Sequence, residues 1–155
     1  NRLASNSLLE GLVFSRRIAE VLPGELREWA DPAVDQRTAA LVAGGLRREL
    51  QETMSAEVGV LRSATGLAEA TAELDKLAGV AAEVVDLESW ETTNLVTIST
   101  AMADAAALRE ETRGSHWRED FPERDDEQFA GHFDVVMHDG VTELVFTPSP
   151  ATDRL

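Results

Sequence analysis

The stretch Ser89–Gly114, SWETTNLVTISTAMADAAALREETRG, places Leu95, Ile98, Met102 and Ala105 at intervals of three and four residues. That period predicts one helix from Ser89 to Arg113 with a single apolar face, closed by Gly114 as its C-cap. Just upstream, Leu67, Ala70, Leu74, Leu77 and Ala81 repeat the period. They predict a helix that follows a turn around Gly59 to Gly66 and ends near Asp86. A further helix is expected over Val34–Val58, begun by Asp31 or Asp35, with Leu41, Val42, Leu46, Leu50 and Met54 on its stripe. Within it, Gly44 and Gly45 each cost about 1 kcal/mol relative to Ala. They signal either the close approach of another backbone or a kink. Three long helices with short joins predict an antiparallel three-helix bundle, hence a mainly α fold.

The flanks complete the outline. A helix from Asn6 to Val21 carries Leu8, Leu9, Leu12 and Val13, with Asn6 or Ser7 as N-cap and Pro23-Gly24 as its stop. A loop with Trp29 and Asp31-Pro32 follows. At the other end, His116 to Gln128 is heavily charged and irregular, and FDVVM and VTELVF flank His138-Asp139-Gly140. Asp-Gly between two β-rich runs predicts a C-terminal hairpin.

Totals narrow the function classes. The 155 residues suffice for one domain with a core, and 5% aromatics without Tyr in an Ala-rich chain favours packed helices over a β-sandwich. With 29 acidic and 14 basic residues the net charge is −15, which repels phosphate backbones and anionic lipid. Nucleic acid and membrane surfaces are therefore not expected as partners. The absence of Cys excludes thiolate ligands, Cys nucleophiles and disulfides in these residues. No apolar run reaches the ~18–20 residues of a membrane span.

Chemistry is best sought at the start, in Asn1–Arg17, NRLASNSLLEGLVFSRR. Arg2 lies just ahead of a polar-capped helix N-terminus, whose first N–H groups, near Ser7 and Leu8, form a small electropositive socket. Such a socket suits a carboxylate, a phosphate or the electron-rich edge of a reduced cofactor, and Arg2 adds a bidentate clamp for a carboxylate. The plain alternative is a solvent-exposed Arg before an ordinary capped helix.

This opening resembles the flavin-contacting segment of the succinate dehydrogenase, fumarate reductase and L-aspartate oxidase flavoprotein family. There, Asn-Arg, a short spacer and Asn-Ser-Leu-Leu lead through an acidic residue into an apolar helix with a basic end. Two more stretches agree in order: VGVLRSATGL, Val58 to Leu67, and ETRGSHWREDFPERDD, Glu111 to Asp126. Ala4-Ser5 before Asn6-Ser7, and Glu10-Gly11 after the leucines, are similar to the oxidase branch, whereas ETRGSHWREDFPERDD is at least as similar to the dehydrogenase subunits.

The resemblance implies several expectations. Arg2 matches the family's substrate-carboxylate arginine, and Ser7 and Leu8 match the pair whose backbone contacts the flavin ring; no catalytic residue and no metal ligand fall in these residues. FAD is the implied cofactor. For the oxidase branch, L-aspartate and oxygen or fumarate are the implied substrates, quinolinate synthase the pathway partner in NAD biosynthesis, and the cytoplasm the setting. The dehydrogenase branch is the alternative, and a stand-alone acidic helical interaction domain the second. The Gly-rich nucleotide fingerprint and the capping domain are not matched, so these residues alone are expected to be inactive and to lack FAD. The opening in mid-motif suggests a cut through a larger flavoenzyme. The implied organisation is 1–22 as the end of the flavin-binding domain, 23–33 as linker, 34–114 as helical bundle, and 115–155 as charged segment and hairpin.

The remaining polar residues are read as structural. His116, His132 and His138 lack the spacing of a metal site and are taken as surface residues. Glu119-Asp120 and Asp125-Asp126-Glu127 lack the ligand alternation of a calcium loop and are taken as a solvated segment. Arg113, Arg118 and Arg124 are expected to make interdomain ion pairs.

Overall fold

A computed structural model describes residues 6–26, 28–31, 33–34, 40–138 and 141–149. The chain divides into two compact units, Asn1–Thr38 and Ala39–Leu155. In the first, helix α1 spans Asn6–Glu25 and buries none of its residues. It continues through Pro23 rather than stopping there. A proline near a helix end removes one N–H donor, and the turn still closes through Leu26 N donating to Leu22 O at 3.0 Å. Asn6 and Ser7, expected as N-cap, lie inside the first described turn of the helix.

The second unit opens with backbone pairing. Ala43 N donates to Val80 O at 3.0 Å and Ala82 N to Leu41 O at 2.7 Å. A 3-10 turn, Gly44–Leu46, then leads into α2, Arg47–Glu57. Over the described residues, the helix expected across Val34–Val58 is thus an extended arm and a shorter helix. Gly44 explains the change. A Cβ there would sit 2.7 Å from Glu88 Cγ, and the Gly44 carbonyl accepts from the buried Thr92 Oγ1 at 3.1 Å. Gly44 marks the close approach of another element, Gly45 faces open space, and the helix starts beyond them.

Strand β1, Leu61–Arg62, separates α2 from α3, Ala64–Ala78. Ser63 caps α3 by accepting from Gly66 N at 3.2 Å. Helix α3 ends at Ala78, short of Asp86, because Ala81 is drawn into a bridge with Val42. Helix α4 spans Leu87–Leu108, and its N-cap Asp86 accepts from Ser89 N at 2.8 Å. The backbone and side-chain bonds from Ser89 lower the Asp86 pKa. Leu50, Val58, Leu67, Ala70, Leu74, Leu77, Val96, Ala103 and Ala106 form one core among α2, α3 and α4.

The buried face of α4 is not the expected one. Thr92, Val96, Ser99, Ala103 and Ala106 are buried, whereas Ile98 is 58% and Met102 50% exposed. Small side chains admit close helix contact, as Ala103 and Ala70, both 0% exposed, illustrate. Periodicity cannot rank two apolar faces of one helix. The second face lines a groove of about 460 Å³ with Ile98, Met102 and Ala105 on one side and Val135 and Met137 on the other.

Beyond α4, β2 (Trp117–Arg118) pairs in parallel with β1, and a short helix α5 spans Asp126–Phe129. The hairpin forms as expected, with β3 (Gly131–His138) antiparallel to β4 (Val141–Pro148). Its turn, Asp139-Gly140, lies outside the described residues. Phe133 faces Phe146 across the strands with ring centroids 5.3 Å apart.

These burials set a stability order. Leu74→Ala should cost about 2–5 kcal/mol and Ala103→Leu about 1–3 kcal/mol, while Ile98→Ala should cost about 1 kcal/mol or less. Urea unfolding checks the ranking, and Ile98→Ala as the costliest of the three would restore the expected face.

Candidate functional site

Of the residues assigned chemistry from sequence, Arg2 lies outside the described residues. Ser7 and Leu8 occupy the first turn of α1, with Ser7 partly buried and Leu8 72% exposed. Here the backbone N–H groups lack acceptors inside the helix and the dipole is positive. What the structure assembles instead is a polar cluster at the end of α4, from residues the charge pattern marks as solvated.

Its centre is Arg118, only 1% exposed. The last carbonyls of a helix need donors from outside it. Arg118 Nη1 supplies them, donating to Ala106 O at 3.0 Å, Ala107 O at 3.1 Å and Arg109 O at 3.3 Å. Asp120 holds the other edge of the guanidinium, accepting from Nε and Nη2 at 2.8 Å each. The Phe121 ring covers it, 4.9 Å from the guanidinium carbon. Asp120 also accepts from Ala64 N at 3.0 Å, at the start of α3. The hydrogen bonds from Arg118 bring the Asp120 carboxyl down from 3.8 to about 2.

Glu111 organises a second knot. Fully buried, it accepts from Arg109 Nη1 at 2.6 Å, Arg113 Nε at 2.7 Å, Arg113 Nη2 at 3.0 Å and Asp125 N at 2.8 Å. Burial pushes its pKa up, but the bonds from Arg113, the Asp125 amide and Arg109 outweigh it, and the net shift is downward. Arg113 is raised, chiefly by its bond to Glu111. It also donates to Asp126 at 2.8 Å, which Arg124 binds as well. Arg109 carries the network to the hairpin, with Nη1 donating to Phe129 O and Nη2 to Gly131 O, both at 2.9 Å.

His116 ties these groups to β1. Its Nδ1 faces Arg62 Nη1 at 2.8 Å and its Nε2 faces Arg109 O at 2.9 Å. The partners settle the tautomer: a carbonyl only accepts and a guanidinium only donates, so the proton is on Nε2 and the ring is neutral. Burial first, then Arg62, Arg118 and Arg109, lower its pKa, against the bond to the Arg109 carbonyl. Gly114, at φ +58°, makes the tight turn that returns His116 to Arg113, instead of capping α4.

Three expectations are therefore corrected. Arg113, Arg118 and Arg124 pair with carboxylates of their own unit, and each pairs with an acid within two to thirteen residues because the chain folds back on itself. The acidic runs stay exposed at Glu119, Asp120, Asp126 and Glu127 as expected, but they are ordered partners and not free charges: Asp120 holds Arg118, and Asp125 caps α5 by accepting from Glu127 N at 2.9 Å and Gln128 N at 3.0 Å. Half-buried and hydrogen-bonded at both nitrogens, His116 is no surface residue. Sequence reading passed over Arg62, Arg109 and Glu111. The alternation Arg109, Glu111, Arg113 was the available signal, since residues two apart in extended chain share a side.

Chemically this cluster is a set of structural pairs, because each carboxylate described above accepts from guanidinium or backbone N–H groups. It fastens segments together.

Comparison with known proteins agrees with this architecture. Residues 47–152 match the family described as fumarate reductase flavoprotein C-term. L-aspartate oxidase of Streptomyces coelicolor is 37% identical over 95% of this chain and 29% of its own length. The Bacillus subtilis enzyme of the same name is 36% identical over 79% of this chain and 24% of its length. A succinate dehydrogenase flavoprotein subunit of Coxiella burnetii is 32% identical over 90% of this chain and 28% of its length. The chain thus spans less than a third of these relatives. Among solved structures, a chain of the Mycobacterium smegmatis Sdh1 complex in the apo form superposes with TM-score 0.55 at 26% identity, covering 94% of this chain and 25% of that one. A quinol-fumarate reductase chain superposes at 0.60 with 21% identity and shows the fold alone, covering 100% of this chain and 27% of that one.

Two outcomes follow from the cluster. Glu111→Ala leaves Arg109 and Arg113 without their buried carboxylate and should cost about 3–5 kcal/mol in chemical denaturation; a cost below about 1 kcal/mol would show that the knot holds nothing. The pH dependence has a definite sign. For His116, Glu111 and Asp120 the folded pKa lies below the unfolded one, so their stabilisation is complete above the unfolded value and is lost as pH falls through the folded one. Asp104, raised by burial and then by Asp75, works the opposite way. Stability should fall from pH 7 to 5 through His116, and the Asp120 contribution should fade between 3.8 and about 2. His116→Gln should flatten the first limb of the stability–pH curve; an unchanged slope would remove His116 from it.

Proposed function

The chain belongs to the fumarate reductase flavoprotein C-terminal family, and from that premise we propose that it forms the C-terminal part of an FAD-dependent L-aspartate oxidase, converting L-aspartate to iminoaspartate. The observation that carries this reading is the agreement with Streptomyces coelicolor L-aspartate oxidase over 95% of the chain at 37% identity. FAD, when bound, would supply the hydride-accepting chemistry, with oxygen or fumarate as the final electron acceptor.

This chain's own residues position and polarise. Arg2 binds a carboxylate of aspartate through its planar fork of donors. Ser7 and Leu8 present first-turn N–H groups at the positive end of α1, where they stabilise negative charge on the ring system. That donor set fits the electron-rich edge of a flavin, and the exposed Leu8 side chain leaves the turn open to it. The nucleotide half of FAD needs a Gly-rich turn that these residues do not supply, so the 155 residues alone bind no FAD and do not turn over. In this reading residues 1–22 end the flavin-binding domain, 23–33 link it onward, and the helical bundle follows. The product feeds quinolinate synthase in NAD biosynthesis, in the cytoplasm. No helix among the described residues is long and apolar enough to cross a membrane.

A second reading, a succinate dehydrogenase flavoprotein subunit, is favoured by the Coxiella burnetii relative, which agrees over 90% of the chain at 32% identity. Peroxide production by the full-length flavoprotein separates the two. Peroxide from L-aspartate and none from succinate is expected; succinate oxidation with a dye as acceptor would favour the second reading. Arg2→Ala should lower kcat/KM for aspartate about 10²-fold or more, since an unpaired buried carboxylate costs about 2–5 kcal/mol. Unchanged kinetics would remove Arg2 from the site.

A further inference from the structure

Arg62 departs from the pattern set by the other arginines of the second unit. Arg109, Arg113 and Arg118, all partly or fully buried, each have a carboxylate within 2.8 Å. The exposed Arg47, Arg48 and Arg124 are also paired with acids. Arg62 is partly buried, yet among the described residues it has no carboxylate partner. Its Nε donates to Val58 O at 3.2 Å and Gly59 O at 3.0 Å, and its Nη1 to the neutral His116 ring. A guanidinium has five N–H groups, so three remain without an acceptor among the described residues. In a chain of net charge −15, a partly desolvated cation without a counter-ion is an exception that calls for an anion.

A cleft lies beside it. Arg62, Arg109, His116 and His132 line about 280 Å³ together with Met102 and Phe133, and among the described residues no acidic one lines it. Arg109 is already committed to Glu111, and His132 stands 3.4 Å from Asp134. Arg62 therefore carries the unbalanced charge. Size and lining select the ligand class. The volume holds a molecule of a few heavy atoms; the guanidinium fork matches the two oxygens of a carboxylate; and Met102 and Phe133 offer apolar wall to a short hydrocarbon tail. We propose that this cleft binds a small organic carboxylate, with Arg62 as its ion-pair partner and Met102 and Phe133 against its carbon chain. The site stands on residues 62–133, apart from Arg2, Ser7 and Leu8, and does not depend on the redox reading.

Butyrate titrated into the 155-residue chain, followed by NMR of the Arg62 Nε–H and the His116 ring, tests it. The expected result is a saturable shift of both signals at millimolar butyrate, with the His116 pKa raised by about 1 as the new negative charge favours its protonated form. Chloride and phosphate at matched ionic strength should not reproduce it. Arg62→Gln should lose the butyrate response, and Arg62→Lys, which keeps the charge and guards against a folding failure of the first variant, should weaken it severalfold. A linear, non-saturating response, or one that chloride matches, would overturn the proposal, as would an undiminished response in Arg62→Gln.

Discussion

The second unit depends on one buried guanidinium. Arg118 caps the carbonyl end of α4 while its own charge is fixed by Asp120, which in turn takes the first free N–H of α3. A helix C-terminus and a helix N-terminus, with complementary dipole charges, are thereby joined through one Arg–Asp pair. Take away the pair and the buried carbonyl end of α4 is left without its donor. Burying a guanidinium is expensive unless its hydrogen bonds are met, and here Arg118 is met by Asp120 and by backbone carbonyls that need partners of their own. Among the described residues no buried side-chain nitrogen or oxygen lacks a partner.

From that joint the rest follows outward. Thr112 and Arg118 exchange bonds across the returning chain, with Arg118 N donating to Thr112 Oγ1 at 3.0 Å and Thr112 Oγ1 to Phe121 O at 2.9 Å. Glu111 then gathers Arg109, Arg113 and the Asp125 amide, and Arg109 reaches the first strand of the hairpin. The polar segment is a clasp that secures the hairpin to the bundle, and the chemistry proposed for the protein belongs to the opposite end of the sequence, around Ser7 and Leu8.

Much of the bundle was legible in the sequence. Leu67, Ala70, Leu74 and Leu77 repeat with helical period and are all buried, because α3 has one apolar face and polar residues elsewhere. In α4 the same logic failed for Ile98 and Met102, which face the groove, while Thr92, Val96, Ser99, Ala103 and Ala106 face the core. Gly44 carried a correct signal of close approach, but the apolar stripe from Leu41 to Met54 placed it inside a helix instead of before one. The charged tail was the least legible. Whether Asp120 is solvated or paired depends on where Arg118 and Ala64 meet, and that contact spans 56 residues between Ala64 and Asp120. For the candidate site, Ser7 and Leu8 fall in a helix first turn as read, while their role rests on resemblance, not on spacing.

Native-state amide hydrogen exchange tests the clasp most directly. The amides of Thr112, Arg118, Glu119 and Asp125 are bonded only within the polar segment or across to Arg62. If that segment is part of the cooperative unit, these four should exchange with the same opening free energy as the core amides of α3, such as Leu74. Exchange of the four near unfolded-chain rates, with α3 still protected, would contradict the account and return the segment to the status of a solvated tail.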